Sequence, residues 1–179
     1  SLGDVMSESA RLAMSFLRSR ASRFGLDLEK LDHLDLHLHF PAGAIKKDGP
    51  SAGIAIACAF LGCLLQKQAP MDLAMTGELT VVGEVLPIGG VREKVLAAKN
   101  FGLRRVILPK GNEAEVLELK RDLVAGMQVL YVDRFEQVFD LVYGDPRAVQ
   151  AATRRANRAA AKRRKPAAKA KRSNPSRGR

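Results

Sequence analysis

DGPSAGIAIACAFLGCLL, running from Asp48 to Leu65, is the stretch that decides the fold class. It opens on a Gly-Pro turn and passes without a break into an apolar run. Ala55, Ala57, Ala59 and Gly62 are small there, while Ile54, Ile56, Phe60, Leu61 and Leu64 are bulky. Apolar on nearly every side, the run predicts a buried helix from Ser51 to about Gln66. Such a helix needs other layers to cover it, and the flanking sequence supplies candidates. Upstream, Leu34-Asp35-Leu36-His37-Leu38-His39-Phe40 alternates strictly, with the leucines and Phe40 on one face. That is the period of a strand with one buried face. Before it, Met6, Ala10, Ala13 and Leu17 recur at helical spacing. They predict a helix capped by Asp4 or Ser1, running to about Ser22 and stopped by Gly25. Pro41 to Gly49 reads as a loop.

Downstream, Leu73–Thr76, Leu79–Val82 and Val85–Ile88 read as short strands, the last two joined by a Gly83-Glu84 turn. A helix from Val91 to about Asn100 follows a Gly-Gly turn, with Gly102 as its stop. Val106–Leu108 is a buried strand, and Asn112 is placed to cap a helix through Leu123. Met127–Val132 is a strand and Phe135–Tyr143 a last helix. Strands alternating with helices predict an α/β (α+β) domain, a mixed sheet with helices packed on it.

The chain has 179 residues, 46% of them apolar, enough for one sizeable core. The formal net charge is +11, and its distribution matters more than its size. Residues 145–179 carry thirteen of the thirty Lys and Arg and one of the nineteen acids. That segment holds +12, and the remainder is near neutral at −1. The boundary divides a domain, 1–144, from a tail, 145–179. The tail's Ala, Arg, Lys, Pro and Ser bury too little apolar surface to offset chain entropy, which predicts disorder. Its charge suits non-specific contact with nucleic-acid phosphates. It lacks Phe, Tyr and Trp, so stacking on single strands finds no support.

Cys58 and Cys63 lie five apart on the predicted apolar helix, pointing to different sides, and read as buried reduced thiols. No Cys/His spacing suggests a zinc site, and no metal is expected. No apolar run is long enough to span a bilayer, and no signal-peptide pattern opens the chain.

The fragment Gly49-Pro50-Ser51-Ala52-Gly53 satisfies G-x-S-x-G, the nucleophile elbow of Ser-His-Asp hydrolases. In that fold the histidine follows the serine, whereas His33, His37 and His39 all precede Ser51. A nucleophilic Ser51 therefore requires a different base. The best candidate is Lys94, in Gly89-Gly90-Val91-Arg92-Glu93-Lys94. A lysine is a base only when neutral, and its ordinary pKa of about 10.4 falls when apolar surroundings desolvate the amine. Val91, Val95, Leu96, Ala97 and Ala98 supply such surroundings. Thr76 is a candidate to orient the amine. Backbone N–H groups at the start of the Ser51 helix are candidate donors to an oxyanion, and Gly49 and Gly53 allow close backbone approach. Each piece has a plainer alternative: a helix cap at Ser51, a solvated helix lysine at Lys94, a turn at Thr76-Gly77-Glu78. His37 and His39 share a face that suits a polar site or plain sheet surface.

HLHFPAGAIKKDGPSAG (His37–Gly53), AMTGELTVVGEVLPIGGVREKVLAAKNFG (Ala74–Gly102) and RVILPKGNE (Arg105–Glu113) resemble the proteolytic domain of Lon proteases. The resemblance spans about Leu2 to Tyr143. It implies a compact ribosomal S5 domain 2-like fold, with Ser51 as nucleophile and Lys94 as general base. Lys94, not Lys99, matches the family's Gly-Gly-x-x-x-Lys spacing. Thr76 matches the threonine that orients the lysine, and Asp48 the acidic residue that influences the dyad. His37 and His39 match a supporting His-x-His strand. The family further implies homo-hexameric rings and hydrolysis of unfolded or damaged proteins fed by an ATP-driven unfoldase. No G-x-x-x-x-G-K-[ST] is present, so ATP and Mg are expected on another part of a longer protein and no cofactor on this chain. The family's strands upstream of the first helix are absent as well, so the chain is expected to be the C-terminal piece of a longer protease or a truncated gene product. Expected locations are the bacterial cytoplasm or, alternatively, a mitochondrial or other organelle matrix. A different class of function, an idle module for ring assembly or nucleic-acid tethering through the tail, competes with the peptidase.

Overall fold

The computed structural model describes residues 3–40 and 48–144. The elements in chain order are α1 (Asp4–Ser19), α2 (Ala21–Phe24), α3 (Leu28–Asp32), α4 (Gly53–Leu65), β1 (Leu73–Met75), β2 (Glu78–Leu79), β3 (Val85–Leu86), α5 (Val91–Asn100), β4 (Arg105–Pro109), α6 (Glu113–Glu118), α7 (Arg121–Val124), β5 (Gln128–Val132) and α8 (Phe135–Tyr143). Short 3-10 turns, Pro50–Ala52 and Lys110–Asn112, precede α4 and α6. The basic tail lies outside the described residues.

β1, β4 and β5 form a parallel sheet in that order, and β2 pairs with β3 as a separate antiparallel hairpin. Among the described residues, parallel and antiparallel pairing are thus both present, in separate sheets. A parallel strand covered on both faces needs apolar residues on both, and β4 shows why Val106-Ile107-Leu108 is a continuous run. Ile107 joins the core built with α1, α4 and α8. Val106 and Leu108 join a second core with Val91 and Val95 of α5, Val116 of α6 and Val124 of α7. β5 divides the same way, with Leu130 and Val132 in the first core and Val129 and Tyr131 against the second. The result is three layers, helix–sheet–helix, and the fold class is α/β.

The first core holds a ring cluster. Phe135 meets Phe16 at 5.5 Å and Phe24 at 5.8 Å between centroids, both edge-on. The parallel strands are tied at their start by Arg105 of β4, whose Nη2 lies 2.6 Å from Asp72 Oδ1. That hydrogen bond holds the Asp72 carboxyl below its ordinary value.

Several expectations need correction. Residues 34–40 form no ladder among the described residues. The alternation does place Leu36, Leu38 and Phe40 against the first core, with His37 and His39 exposed. Alternation selects a face but cannot supply a pairing partner. The first helix breaks at Arg20, and α2 ends at Gly25 in the left-handed region (φ 70°). Asp4 lies inside the first turn of α1, and Gly3 is the N-cap without a side-chain bond. α3 was not anticipated; Asp27 Oδ1 accepts the Glu29 N–H at its start. Val81 and Val82 lie beyond β2, exposed at the hairpin turn. Asn112 stands at the N-cap position of α6, as expected, but its side chain makes no cap hydrogen bond to the backbone. Its side chain instead accepts the Ile88 N–H (3.0 Å) and donates to the Ile88 carbonyl (2.9 Å), so its amide is already committed. The helix expected through Leu123 splits into α6 and α7. Cys63 is exposed, not buried; Cys58 is buried, and both are free thiols.

Candidate active site

α4 packs on one face of the parallel sheet and α5 on the other. Past the carboxyl end of β1, at the sheet edge, the start of α4 and the first turns of α5 come together. Ser51 enters from the 3-10 turn Pro50–Ala52, and Lys94 from the first turn of α5. Lys94 Nζ donates to Ser51 Oγ at 3.3 Å, joining residues 43 apart in sequence.

The backbone around Ser51 is pinned to the segment that follows β1. The Ser51 carbonyl accepts the Gly77 N–H (2.9 Å) and the Thr76 hydroxyl (2.9 Å). Thr76 is buried, and its single hydroxyl proton is spent on that carbonyl, so it can meet Lys94 only as an acceptor. The Thr76 N–H in turn binds the Ile107 carbonyl, fastening the site to β4. Lys94 is aimed by the Gly89-Gly90 turn. Gly90 is left-handed (φ 69°) and its carbonyl accepts the Lys94 N–H at 3.1 Å. Asn112 clamps the same turn from below through Ile88, a contact the sequence reading missed.

Asp48 bridges the site loop and α1. Its Oδ1 accepts both the Met6 N–H (3.0 Å) and the Gly49 N–H (2.9 Å). The carboxylate therefore caps α1 from outside the helix, in the favourable sense of the helix dipole. A side chain at Gly3 would collide with it. Gly49 has φ 113°, a conformation open to glycine.

The expected oxyanion donors at the α4 start are partly engaged. The Gly53 N–H binds the Pro50 carbonyl and the Ile54 N–H binds the Gly77 carbonyl at 3.2 Å. Gly53 permits that approach: a Cβ there would lie 2.8 Å from the Leu79 backbone nitrogen and 3.1 Å from Leu79 Cβ. Gly53→Ala must push β2 away from α4. It is expected to cost about 1–3 kcal/mol and to loosen the Gly77–Ser51 bond, read by urea denaturation beside the hydrogen-exchange rate of the Gly77 amide. Wild-type values in both would refute this account.

A cavity of about 340 Å³ opens beside the pair. Ser51, Thr76 and Lys94 are at its polar end; Ala55, Ala97, Met75, Leu103 and Phe101 give it apolar walls. His37 and His39 are not among the lining residues. Among the described residues no group of three or more His, Cys, Asp or Glu is arranged to hold a metal ion. Cys58 is unsuited as a nucleophile, since burial pushes its thiol up to about 11. The Tyr143 hydroxyl donates to the Cys58 carbonyl at 2.8 Å, a structural contact. No helix among the described residues is long and apolar enough to cross a membrane.

An α/β domain with a serine and a lysine in hydrogen-bond contact at its sheet edge is the class that fold and site define. The sequence pattern of the Lon protease (S16) C-terminal proteolytic domain matches residues 1–144. The chain belongs to that family. It is 48% identical over 159 residues to Lon protease 2 of Thermus thermophilus, covering 88% of this chain and 20% of that protein. Over 142 residues it is 48% identical to the Lon protease of Aquifex aeolicus (79% of this chain, 18% of that protein). With a peroxisomal Lon protease homolog 2 of Arabidopsis thaliana it shares 46% over 143 residues (78% and 16%). The chain thus spans about a fifth of the length of these relatives or less.

Proposed function

We propose that this chain is the serine endopeptidase unit of a Lon-type ATP-dependent protease, working through a Ser51–Lys94 dyad. The observation that carries this reading is the 3.3 Å contact between Lys94 Nζ and Ser51 Oγ at the mouth of an apolar cavity. Ser51 Oγ attacks the peptide carbonyl carbon while the free Lys94 amine takes the hydroxyl proton. The tetrahedral intermediate expels the amine half of the substrate, which receives that proton from the Lys94 ammonium. An ester remains on Ser51. Water, deprotonated by Lys94, attacks the ester and releases the carboxylate product. Thr76 and Gly77 hold the Ser51 backbone in place, and Asp48 couples that loop to the α1 terminus.

The wider reading follows family membership. Substrates are unfolded or damaged polypeptides, the assembly is a homo-hexamer, and ATP with Mg is used by a part of the protein outside this chain. The compartment is the bacterial cytoplasm, with an organelle matrix as the alternative.

A fluorophosphonate probe followed by peptide mapping tests the dyad directly. The adduct is expected on Ser51 in wild type and at a strongly reduced rate in Lys94→Ala. Folded wild-type protein that leaves Ser51 unmodified while cleaving a fluorogenic peptide would overturn the assignment.

A further inference from the structure

Pro87-Ile88-Gly89-Gly90 leads from β3 into α5, and the turn Lys110–Asn112 grips that lead-in from outside. Asn112 Oδ1 accepts the Ile88 N–H at 3.0 Å, and Asn112 Nδ2 donates to the Ile88 carbonyl at 2.9 Å. Nδ2 also donates to Glu115 Oε2 at 3.2 Å, so the whole amide is engaged. Gly111 packs beside it, where a Cβ would collide with Pro87 Cγ. The buried polar side chains among the described residues are Thr76 and Asn112. Burying such a group costs free energy unless its hydrogen bonds are made. Thr76 makes its bond to the Ser51 carbonyl. Asn112 makes its bonds to the turn that aims Lys94. Each half of the pair thus has one buried polar anchor.

We propose that Asn112 is a positioning residue for the peptidase reaction, setting the distance between Lys94 Nζ and Ser51 Oγ through the Ile88–Gly90 turn. The inference rests on the dyad reading above. The path is short. Asn112 fixes both backbone groups of Ile88, and Gly90, at the end of the turn, accepts the Lys94 N–H at 3.1 Å. The Ile88 side chain sits in the second core with Val91 and Val95, so the turn and α5 shift together. The 3.3 Å separation of Nζ and Oγ is already at the long end of hydrogen-bond range. A misplacement of about 1 Å costs up to about a hundredfold in rate. Substrate affinity has no share in this, because Asn112 is buried and is not among the residues lining the cavity beside Ser51.

The test uses Asn112→Asp, Asn112→Ala and Gly111→Ala in the full chain, each alone and combined with Lys94→Ala. Asn112→Asp keeps the shape and the acceptor for the Ile88 N–H but offers the Ile88 carbonyl no donor. Gly111→Ala leaves Asn112 in place and displaces the turn through Pro87. Each single variant is expected to lose roughly 10–100-fold in kcat with KM within about twofold of wild type. Labelling of Ser51 by the fluorophosphonate should slow in parallel. Added to Lys94→Ala, the same substitutions should change the labelling rate by less than about twofold, since no amine remains to be placed. Val124→Ala, which removes carbon from the same core and makes none of these bonds, should lower the melting temperature and keep kcat. Wild-type kcat in a folded Asn112 variant overturns the proposal, as does a loss confined to KM or an equal loss with and without Lys94. If neither Asn112 variant folds, wild-type kcat in folded Gly111→Ala overturns it. Wild-type protein that cleaves no peptide and leaves Ser51 unlabelled overturns the dyad reading itself, before any variant is made.

Discussion

Replacing Ser51 with alanine is expected to lower peptide turnover by roughly 10⁴–10⁶-fold, the scale on which serine hydrolases lose rate when the nucleophile goes. Lys94→Ala is expected to fall into the same range, and the double variant to be little worse than either alone. That non-additivity is the signature of two groups acting in one proton transfer. Lys94→Arg sharpens the test, because a guanidinium keeps the charge yet cannot give up its proton in a protein. If Lys94 only held Ser51 in place, arginine would retain part of the rate; as the base, it should retain almost none. The folding cost should be small, since both side chains are only half-buried and sit at the cavity rather than in either core. Steady-state kinetics beside a melting curve decides the matter. Activity within tenfold of wild type in Ser51→Ala would end the nucleophile assignment.

Phe135→Ala has the largest expected effect on stability. The ring is fully buried and meets Phe16 and Phe24 edge-on, joining α8 to α1 and α2. Truncating a buried Phe costs about 3–5 kcal/mol through lost transfer energy and the cavity left behind. Edge-to-face ring pairs add about 0.5–1.5 kcal/mol beyond their area. Against a domain stability of roughly 5–15 kcal/mol, that loss lowers the melting temperature by about 10 °C or more. The Phe135 N–H also binds the Gly83 carbonyl at 2.9 Å, so loosening α8 loosens the β2–β3 hairpin beside the site. Phe135→Leu should cost less, because most of the volume remains. Urea denaturation should show a lower midpoint at an unchanged slope. A midpoint shift equivalent to under 1 kcal/mol would show that the cluster is not central. Phe101→Ala, at the opposite extreme of exposure, serves as the contrast.

Much of this architecture is legible in local pattern. The run after Ser51 reads as a buried helix because its apolar residues leave no polar face. Val106–Leu108 reads as a buried strand because three bulky residues follow one another. Gly102 and Gly25 read as stops, and both adopt the left-handed conformation. The misreadings share a cause. Leu36, Leu38 and Phe40 carry a correct face, but the ladder that would make them a strand depends on another segment. Asn112 takes the N-cap position of α6, yet Ile88, 24 residues away in sequence, takes the side-chain amide that a cap would use. Thr76, whose hydroxyl donates to the Ser51 carbonyl, keeps its oxygen as an acceptor for Lys94. Local sequence shows what a side chain can do, not which distant group reaches it first.

The residues alone determined the chemical inventory: a serine at a glycine-bounded turn, no histidine after it, and a lysine on a helix opened by two glycines. They also determined which face of each element is apolar, because periods of 3.6 and 2 are properties of the local backbone. Only the tertiary structure decided that Ser51 and Lys94 meet. α4 and α5 lie on opposite faces of β1–β4–β5 and reach each other around the β1 edge. The separation of their side chains follows from the packing of both cores, which no local window contains. The same packing places Phe101 beside the serine, 50 positions earlier in the chain, and leaves its ring in water.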